Sequence, residues 1–320
     1  MSYNLTKRII IIGTGPMAIA YARVLKSLNQ LFEVIGRGEE SAQKFYDETN
    51  IKPILGGIDN YLEVNINFDN CYCIIATSVE NLMPSLLKIM KAGAASVLIE
   101  KPGALSIEEL RENSLLLENY PNQIFVAYNR RFYSSVLEAE KLIKEDGGLR
   151  SIFFEFTEWS HKIDPLIKAA GVKENWFFAN STHVVDLAFY FAGKPRDWES
   201  FTKKGSLEWH EKSIYAGAGI TNSDILFSYL SDWESAGRWN IELLTKNRRL
   251  YLKPLESIYI QKKGSVVINE HTFDNELDQL YKPGLYKQVQ SFLDSKENIR
   301  LKSMEEHIKS SSEIYAKILG

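Results

Sequence analysis

The chain has 320 residues, 45% of them hydrophobic and 25% charged; at roughly 150 residues per domain that is the length of two ordinary globular domains. Its 38 basic and 41 acidic side chains leave a formal charge of −3, which excludes a basic field for nucleic acid, a polybasic run for an anionic membrane and charge-driven disorder. Apolar runs such as residues 9–12 fall far short of the about 20 residues that a membrane helix needs, and residues 1–8 carry no signal-peptide core.

Residues 7–12 form a β-branched run without polar alternation, the pattern of a strand buried on both faces. A glycine turn follows, and then a helix is expected over 16–28. A strand over 32–36 and a helix over 39–50 come next. The apolar run 71–76 is a third buried strand, and 81–92 a helix with Pro84 in its first turn, where proline is tolerated. A strand over 96–99 precedes a helix over 106–118, opened by Ser106 with Glu109 three residues later, a capping-box spacing. A strand over 123–127 closes the series. Strands alternating with helices predict a parallel sheet with right-handed crossovers. Cys71 and Cys73 sit on one face of the third strand, too close in sequence for good disulfide geometry. Two cysteines make no secreted disulfide scaffold, so a reduced, cytoplasmic protein is expected.

The pattern changes near Tyr128 and Asn129. One more helix is expected over 134–145, ended by Gly147 and Gly148. Residues 152–159 alternate, with Ile152, Phe154 and Phe156 on one face and Phe153, Glu155, Thr157 and Trp159 on the other. Further strands are expected over 214–218, 225–230, 239–244, 249–252 and 257–261. Few helices separate them, so this sheet is read as mostly antiparallel. Helices are expected over 181–191, 284–293 and 303–318. The expected fold class is an α/β domain with a parallel sheet over residues 1–128, followed over 129–320 by an α+β domain expected to bind substrate and to oligomerise, its last helices free to pack back on the first domain.

The chemistry starts at the first turn. The run Gly13-Thr14-Gly15-Pro16-Met17-Ala18 is G-x-G-x-x-A between a buried strand and a helix, the context that gives this short motif its meaning. Gly13 permits the tight turn, Gly15 lets a pyrophosphate approach the backbone, and Ala18 lets helix and strand pack closely. The amides at the helix start then face the phosphates, so Gly13, Thr14, Gly15, Pro16 and Met17 are expected to bind a dinucleotide. The second strand ends Ile35-Gly36-Arg37-Gly38, without the acidic residue that holds the ribose hydroxyls of NAD. Guanidinium suits a 2′-phosphate, so NADP is expected ahead of NAD, with NAD still possible. Arg37 is otherwise a solvated loop residue, and Glu39 and Glu40 stand near it.

Beyond the fourth strand comes Glu100-Lys101-Pro102. Ligands in open α/β sheets sit beyond the carboxyl ends of the strands, which puts Lys101 near the expected nicotinamide. These features resemble the Gfo/Idh/MocA family of glucose–fructose oxidoreductase and inositol dehydrogenase-like enzymes. The resemblance covers nearly the whole chain. It rests on residues 13–18, on Ala76-Thr77, on Glu100-Lys101-Pro102, on Tyr128-Asn129-Arg130-Arg131-Phe132, and on His183 with Asp186 ahead of Leu187 and Gly193.

The resemblance implies a Rossmann domain followed by a domain with a large open sheet. It also implies hydride transfer between nicotinamide and a hydroxyl or keto carbon of a sugar or sugar derivative, nucleotide-linked or carboxylated forms included. By this analogy Ala76, Thr77 and Glu100 lie on the cofactor, Lys101 sits between nicotinamide and the substrate hydroxyl, and His183 is the acid/base. The chemistry agrees, because imidazole near neutral pH suits proton transfer and an ammonium stabilises a developing alkoxide. Asp186 lies one helical turn from His183 and either orients the imidazole or supports the helix. Many family members have an aspartate four residues before the histidine; this chain has Ala179, followed by Asn180, which can bind a hydroxyl but takes no proton. Without the family context His183 reads first as a core histidine on an apolar helix.

Tyr128, Arg130, Arg131, Asn180 and Trp159 are the remaining candidates for substrate contact, the two arginines serving alternatively as an interdomain salt bridge. His210, His271 and His307 have no clustered partners in sequence, so no metal site is expected. Apolar residues on both faces of the second sheet predict a homodimer or homotetramer through the open face. Two alternatives remain: a silent NAD(P)-binding sensor, and a lyase, epimerase or glycosidase that uses transient oxidation by bound NAD.

Overall fold

The computed structural model describes residues 7–64, 68–294 and 298–320; the reading of the chain start falls on residues 1–6, outside the described residues. The chain divides into two compact units, Met1–Tyr128 with Leu285–Ile308 and Asn129–Gly284 with Lys309–Gly320.

In the first unit the strands are β1 (Arg8–Ile12), β2 (Phe32–Ile35), β3 (Cys71–Ile75), β4 (Ser96–Ile99) and β5 (Gln123–Val126). They pair in parallel in the order β2-β1-β3-β4-β5, and a short strand, Lys302–Ser303, runs antiparallel along β5. The isoleucines of β1 are buried on both faces, which is why the run carries no polar alternation. The register is level: Ile12 pairs with Ile35 and Ile75, Ile75 with Ile99, and Ile99 with Val126. The backbone ladder continues one residue further, from Gly13 N to Ile35 O, Ala76 N to Ile12 O, Glu100 N to Ile75 O and Ala127 N to Ile99 O, at 2.8–2.9 Å. All these strands therefore deliver their loops to one edge, and the strand order reverses at β1/β3, the place where open α/β sheets bind ligands. Helix Pro16–Ser27 packs against helix Leu285–Leu293.

The second unit carries β6 (Ser151–Glu155), β7 (Pro195–Lys203), β8 (Ile214–Thr221), β9 (Leu226–Asp232), β10 (Asn240–Leu244), β11 (Arg248–Leu252), β12 (Ile258–Lys262) and β13 (Ile268–His271). Their order is β13-β12-β11-β10-β6-β9-β8-β7, antiparallel except for the β6–β9 pair. The fold class is thus the expected one. Helix Thr182–Ala192 covers one face of the sheet, with Phe189 edge-on to Phe154 and Phe227. The opposite face leaves Phe201, Leu226 and Leu230 exposed.

Three local differences have physical causes. The helix expected over 106–118 breaks at Asn113, whose side-chain amide donates to Glu109 O at 2.8 Å and competes with the helical ladder. The strand expected over 152–159 ends at Glu155, and beyond it consecutive residues Phe156, Thr157 and Glu158 are all buried, which breaks the alternation. Residues 195–203 and 268–271 are strands that the sequence pattern does not announce; both are edge strands, and mostly exposed side chains give them little alternation. Both cysteines are buried and reduced, and burial pushes both thiols upward, away from thiolate reactivity. Among the described residues no helix is long and apolar enough to cross a membrane, and no cluster of His, Cys, Asp or Glu could hold a metal ion.

Candidate active site

The loops at the carboxyl edge of the first sheet enclose a cavity of about 680 Å³. Gly13, Thr14, Gly15, Pro16, Met17, Arg37, Gly38, Ser41, Ala76 and Thr77 line it. Gly13 has φ +119°, and a Cβ there would lie 2.4 Å from the carbonyl oxygen of Ala76. Only glycine fits, because β3 closes against the turn. Gly15 is different: its φ is −77°, and a Cβ built on it meets nothing within 4 Å. No protein atom requires glycine at this position, so its bareness matters toward the cavity. Helix Pro16–Ser27 begins there with no side-chain cap and no acidic residue in its first turn, leaving backbone donors and a positive dipole end for an anion. Thr77 Oγ1 is buried without a hydrogen-bond partner among the described residues, a cost that a bound acceptor or donor would relieve. These features fit the pyrophosphate of a dinucleotide.

Arg37 lies beyond β2 on the same cavity, beside Ser41. The Ser41 hydroxyl accepts from Thr14 Oγ1 at 2.9 Å and donates to Gly38 O at 3.0 Å, which ties the Arg37 loop to the glycine turn. Glu39 and Glu40 line a separate depression with Gln43, Tyr46 and Lys52.

After β4, Glu100, Lys101 and Pro102 leave the same edge, and Lys101 is buried. The Glu100 carboxylate accepts from the Tyr21 hydroxyl at 2.6 Å; burial, with Glu100 adding to it, pushes the Tyr21 phenol well up, so Tyr21 stays a donor. The carbonyl of Pro102 accepts from Nε2 of the fully buried His307 at 2.8 Å. A carbonyl only accepts, which assigns the proton to Nε2. The Tyr128 hydroxyl stands 3.4 Å from Nδ1 of the same ring, and Tyr128 is itself buried. The structure thus places Tyr128 against His307 inside the first unit, behind the Lys101 loop.

In the second unit His183 is the second residue of helix Thr182–Ala192, which follows a wider turn over Phe177–Ser181. Arg131 and Asp186 form a bidentate pair at 2.7 and 2.8 Å, with side chains 11% and 2% exposed. Asp186 anchors the helix to the Asn129–Phe132 turn through Arg131, and the pair lies within one unit. The Arg131 guanidinium also lies 4.9 Å from the centre of the Tyr190 ring.

Around His183 the structure assembles groups that sequence reading passes over. Glu158, 1% exposed, accepts from Asn180 Nδ2 at 3.0 Å, Ser181 Oγ at 2.8 Å, Arg238 at 3.1 Å and the indole N–H of Trp239 at 3.3 Å. Burial pushes its carboxyl above the usual range, while Ser181, Arg238 and Asn180 pull the other way. Asn180 is thus tied by its amide to Glu158. The Trp239 ring centre lies 6.2 Å from that of His183, and the guanidiniums of Arg130 and Arg238 lie 4.6 and 4.5 Å from it. Trp159, 47% exposed, donates to Gly237 O at 3.0 Å and takes Arg238 over its ring at 4.7 Å. Tyr21, His307, Glu158, Arg238 and Trp239 carry no spacing signal, because their partners come from distant segments.

Residues 7–128 match the Gfo/Idh/MocA family profile, described as an oxidoreductase family with an NAD-binding Rossmann fold. No curated protein sequence matches the chain. Among solved structures, an oxidoreductase from Thermotoga maritima is 16% identical with a TM-score of 0.74, over 98% of this chain and 96% of that one. A UDP-N-acetylglucosamine 3-dehydrogenase from Acidithiobacillus ferrooxidans is 14% identical with a TM-score of 0.70, over 98% and 97%. A levoglucosan dehydrogenase, solved with NADH and L-sorbose, is 14% identical with a TM-score of 0.73, over 98% and 95%. At these identities the likeness is one of fold, and it extends through both units. Over residues 7–128 the chain is thus similar to the Gfo/Idh/MocA family of oxidoreductases with an NAD-binding Rossmann fold.

Proposed function

We propose that this protein is an NADP(H)-preferring dehydrogenase or reductase that moves a hydride between nicotinamide and a hydroxyl or keto carbon of a sugar or sugar derivative. The observation that carries the reading is the cavity at the β1/β3 reversal, with Gly15 bare toward it and Arg37 on its wall. The turn residues 13–17 and Thr77 hold the pyrophosphate. Arg37 and Ser41 receive the 2′-phosphate, and Glu39 and Glu40, which face a different depression, do not oppose it. When bound, the nicotinamide accepts or supplies the hydride.

The remaining chemistry belongs to the chain. In the oxidation direction the carbon loses hydride while its hydroxyl proton passes to His183, and a carbonyl forms. Lys101 holds the developing negative charge on the oxygen with its ammonium. In reduction His183 returns the proton. Tyr21 and His307 fix Glu100 and Pro102 on either side of Lys101 in the chain, and so position the lysine. The sugar class is supported by the folds shared with a UDP-N-acetylglucosamine 3-dehydrogenase and a levoglucosan dehydrogenase. A homodimer or homotetramer formed through the face bearing Phe201, Leu226 and Leu230 completes the reading, since an apolar face of this kind marks an interface.

The test follows nicotinamide absorbance with NADPH and NADH across neutral sugars, sugar acids and nucleotide sugars. Turnover on one class, faster with NADPH, is the expected result. Tight cofactor binding without turnover on any class would favour a silent sensor. Turnover without net absorbance change would favour transient oxidation by a retained cofactor.

A further inference from the structure

The cluster on Trp239 bears on what the substrate carries; the inference rests on the reading of His183 as the acid/base. Two guanidiniums, Arg130 and Arg238, lie over one indole, and the His183 ring lies beside that same indole. Trp239 is 7% exposed and fixed through its N–H to Glu158, so the platform is rigid. Arg238 has a counter-charge in Glu158. Arg130 has none: its side chain meets the Asn129 amide oxygen at 3.4 Å, and among the described residues no carboxylate stands within ion-pair distance of it. The site therefore holds one more cation than anion, and both arginines remain part-exposed.

Guanidinium is the group suited to two-point contact with a planar carboxylate or with phosphate oxygens. Beside it, Trp159 offers a half-exposed flat surface for a sugar ring. A neutral sugar would leave Arg130 uncompensated next to Arg238, whereas an anion would screen both. We propose that the substrate of this site is an anionic sugar, carrying a carboxylate or a phosphate that Arg130 and Arg238 receive on Trp239 while its reacting hydroxyl faces His183.

The test is equilibrium binding by tryptophan fluorescence at saturating NADP⁺, with D-glucuronate, D-glucose 1-phosphate and D-glucose as the three probes. The anionic probes should bind at least about tenfold more tightly than glucose, and the margin should shrink as salt is raised. A preference for glucuronate over the phosphate identifies a sugar acid; the reverse identifies a phosphorylated or nucleotide-linked sugar. Arg130→Gln should abolish the margin with unchanged thermal unfolding and unchanged NADPH affinity. Arg238→Gln, which also frees a bond of Glu158, is read only alongside its unfolding curve. Equal affinities for the three probes, including no measurable binding of any, or a margin that survives Arg130→Gln, would overturn the proposal. NADPH titration without sugar tests the cofactor reading separately, so the two can fail independently.

Discussion

Replacing Arg37 with alanine should remove most of the preference for NADPH over NADH. Arg37 lies on the cavity wall beside Ser41 and is exposed, so its interaction with a phosphate works in a water-like dielectric. Two unit charges about 4 Å apart in water interact by about 1 kcal/mol, and a phosphate monoester carries about −1.5 to −2 charges. Net gains for hydrogen bonds to charged groups run about 1.5–3 kcal/mol; exposure places this one toward the low end, near 2 kcal/mol. At about 1.4 kcal/mol per decade, the loss is roughly thirtyfold in NADPH affinity. NADH has no 2′-phosphate and should change by less than about threefold on the same reasoning. A residual preference should persist, because Ser41 remains on the cavity wall. Nucleotide fluorescence titrations at two ionic strengths read these numbers, and the wild-type margin should narrow with salt. Equal affinities in the wild type, or parallel losses for both nucleotides in Arg37→Ala, would remove Arg37 from the account.

The two glycines of the first turn should part company. Gly13→Ala forces a Cβ into the Ala76 carbonyl at a left-handed φ and should lower the unfolding midpoint sharply, whereas Gly15→Val should leave it in place and weaken NADPH by tenfold or more. Asp186→Ala removes the carboxylate that pairs with the buried Arg131 guanidinium and should cost about 3–5 kcal/mol, read by denaturant unfolding; a loss under about 1 kcal/mol would mean that the pair does not anchor the helix. Ala179→Asp adds a carboxylate next to Asn180 and Ser181, whose side chains already serve the buried Glu158. It should reduce stability and bring no large gain in turnover, and a hundredfold gain would show that the site lacks a group it needs.

The parts of the fold legible in sequence are those fixed by local chemistry. The isoleucine run of β1 and the glycines of the turn announce themselves through burial on both faces and through backbone need. Ser106 and Glu109 do so through a cap: Ser106 Oγ accepts from Glu109 N at 3.1 Å, and the Glu109 carboxylate takes the Leu105 N–H. Edge strands are hidden, since in β7 Trp198 is the buried position among exposed and half-buried ones. The candidate site is legible on the cofactor side, where one turn carries most of the motif. It is less so in the second unit. The Arg131–Asp186 pair spans 55 residues and the Glu158–Trp239 bond 81, so no spacing rule joins them. A carboxylate at the end of an alternating strand reads as solvated, and Glu158 becomes visible only once the chain folds it inward.

The central claim is that Lys101 and His183 carry chemistry rather than binding. Its most direct measurement is steady-state turnover of Lys101→Ala and His183→Ala on the best substrate of the screen, with NADPH affinity determined separately. Lys101→Ala should lose about 10²–10³ in turnover, as for a missing oxyanion donor, and His183→Ala about 10²–10⁴, as for a missing acid/base, both with near wild-type NADPH binding. Near wild-type turnover in both variants would contradict the account.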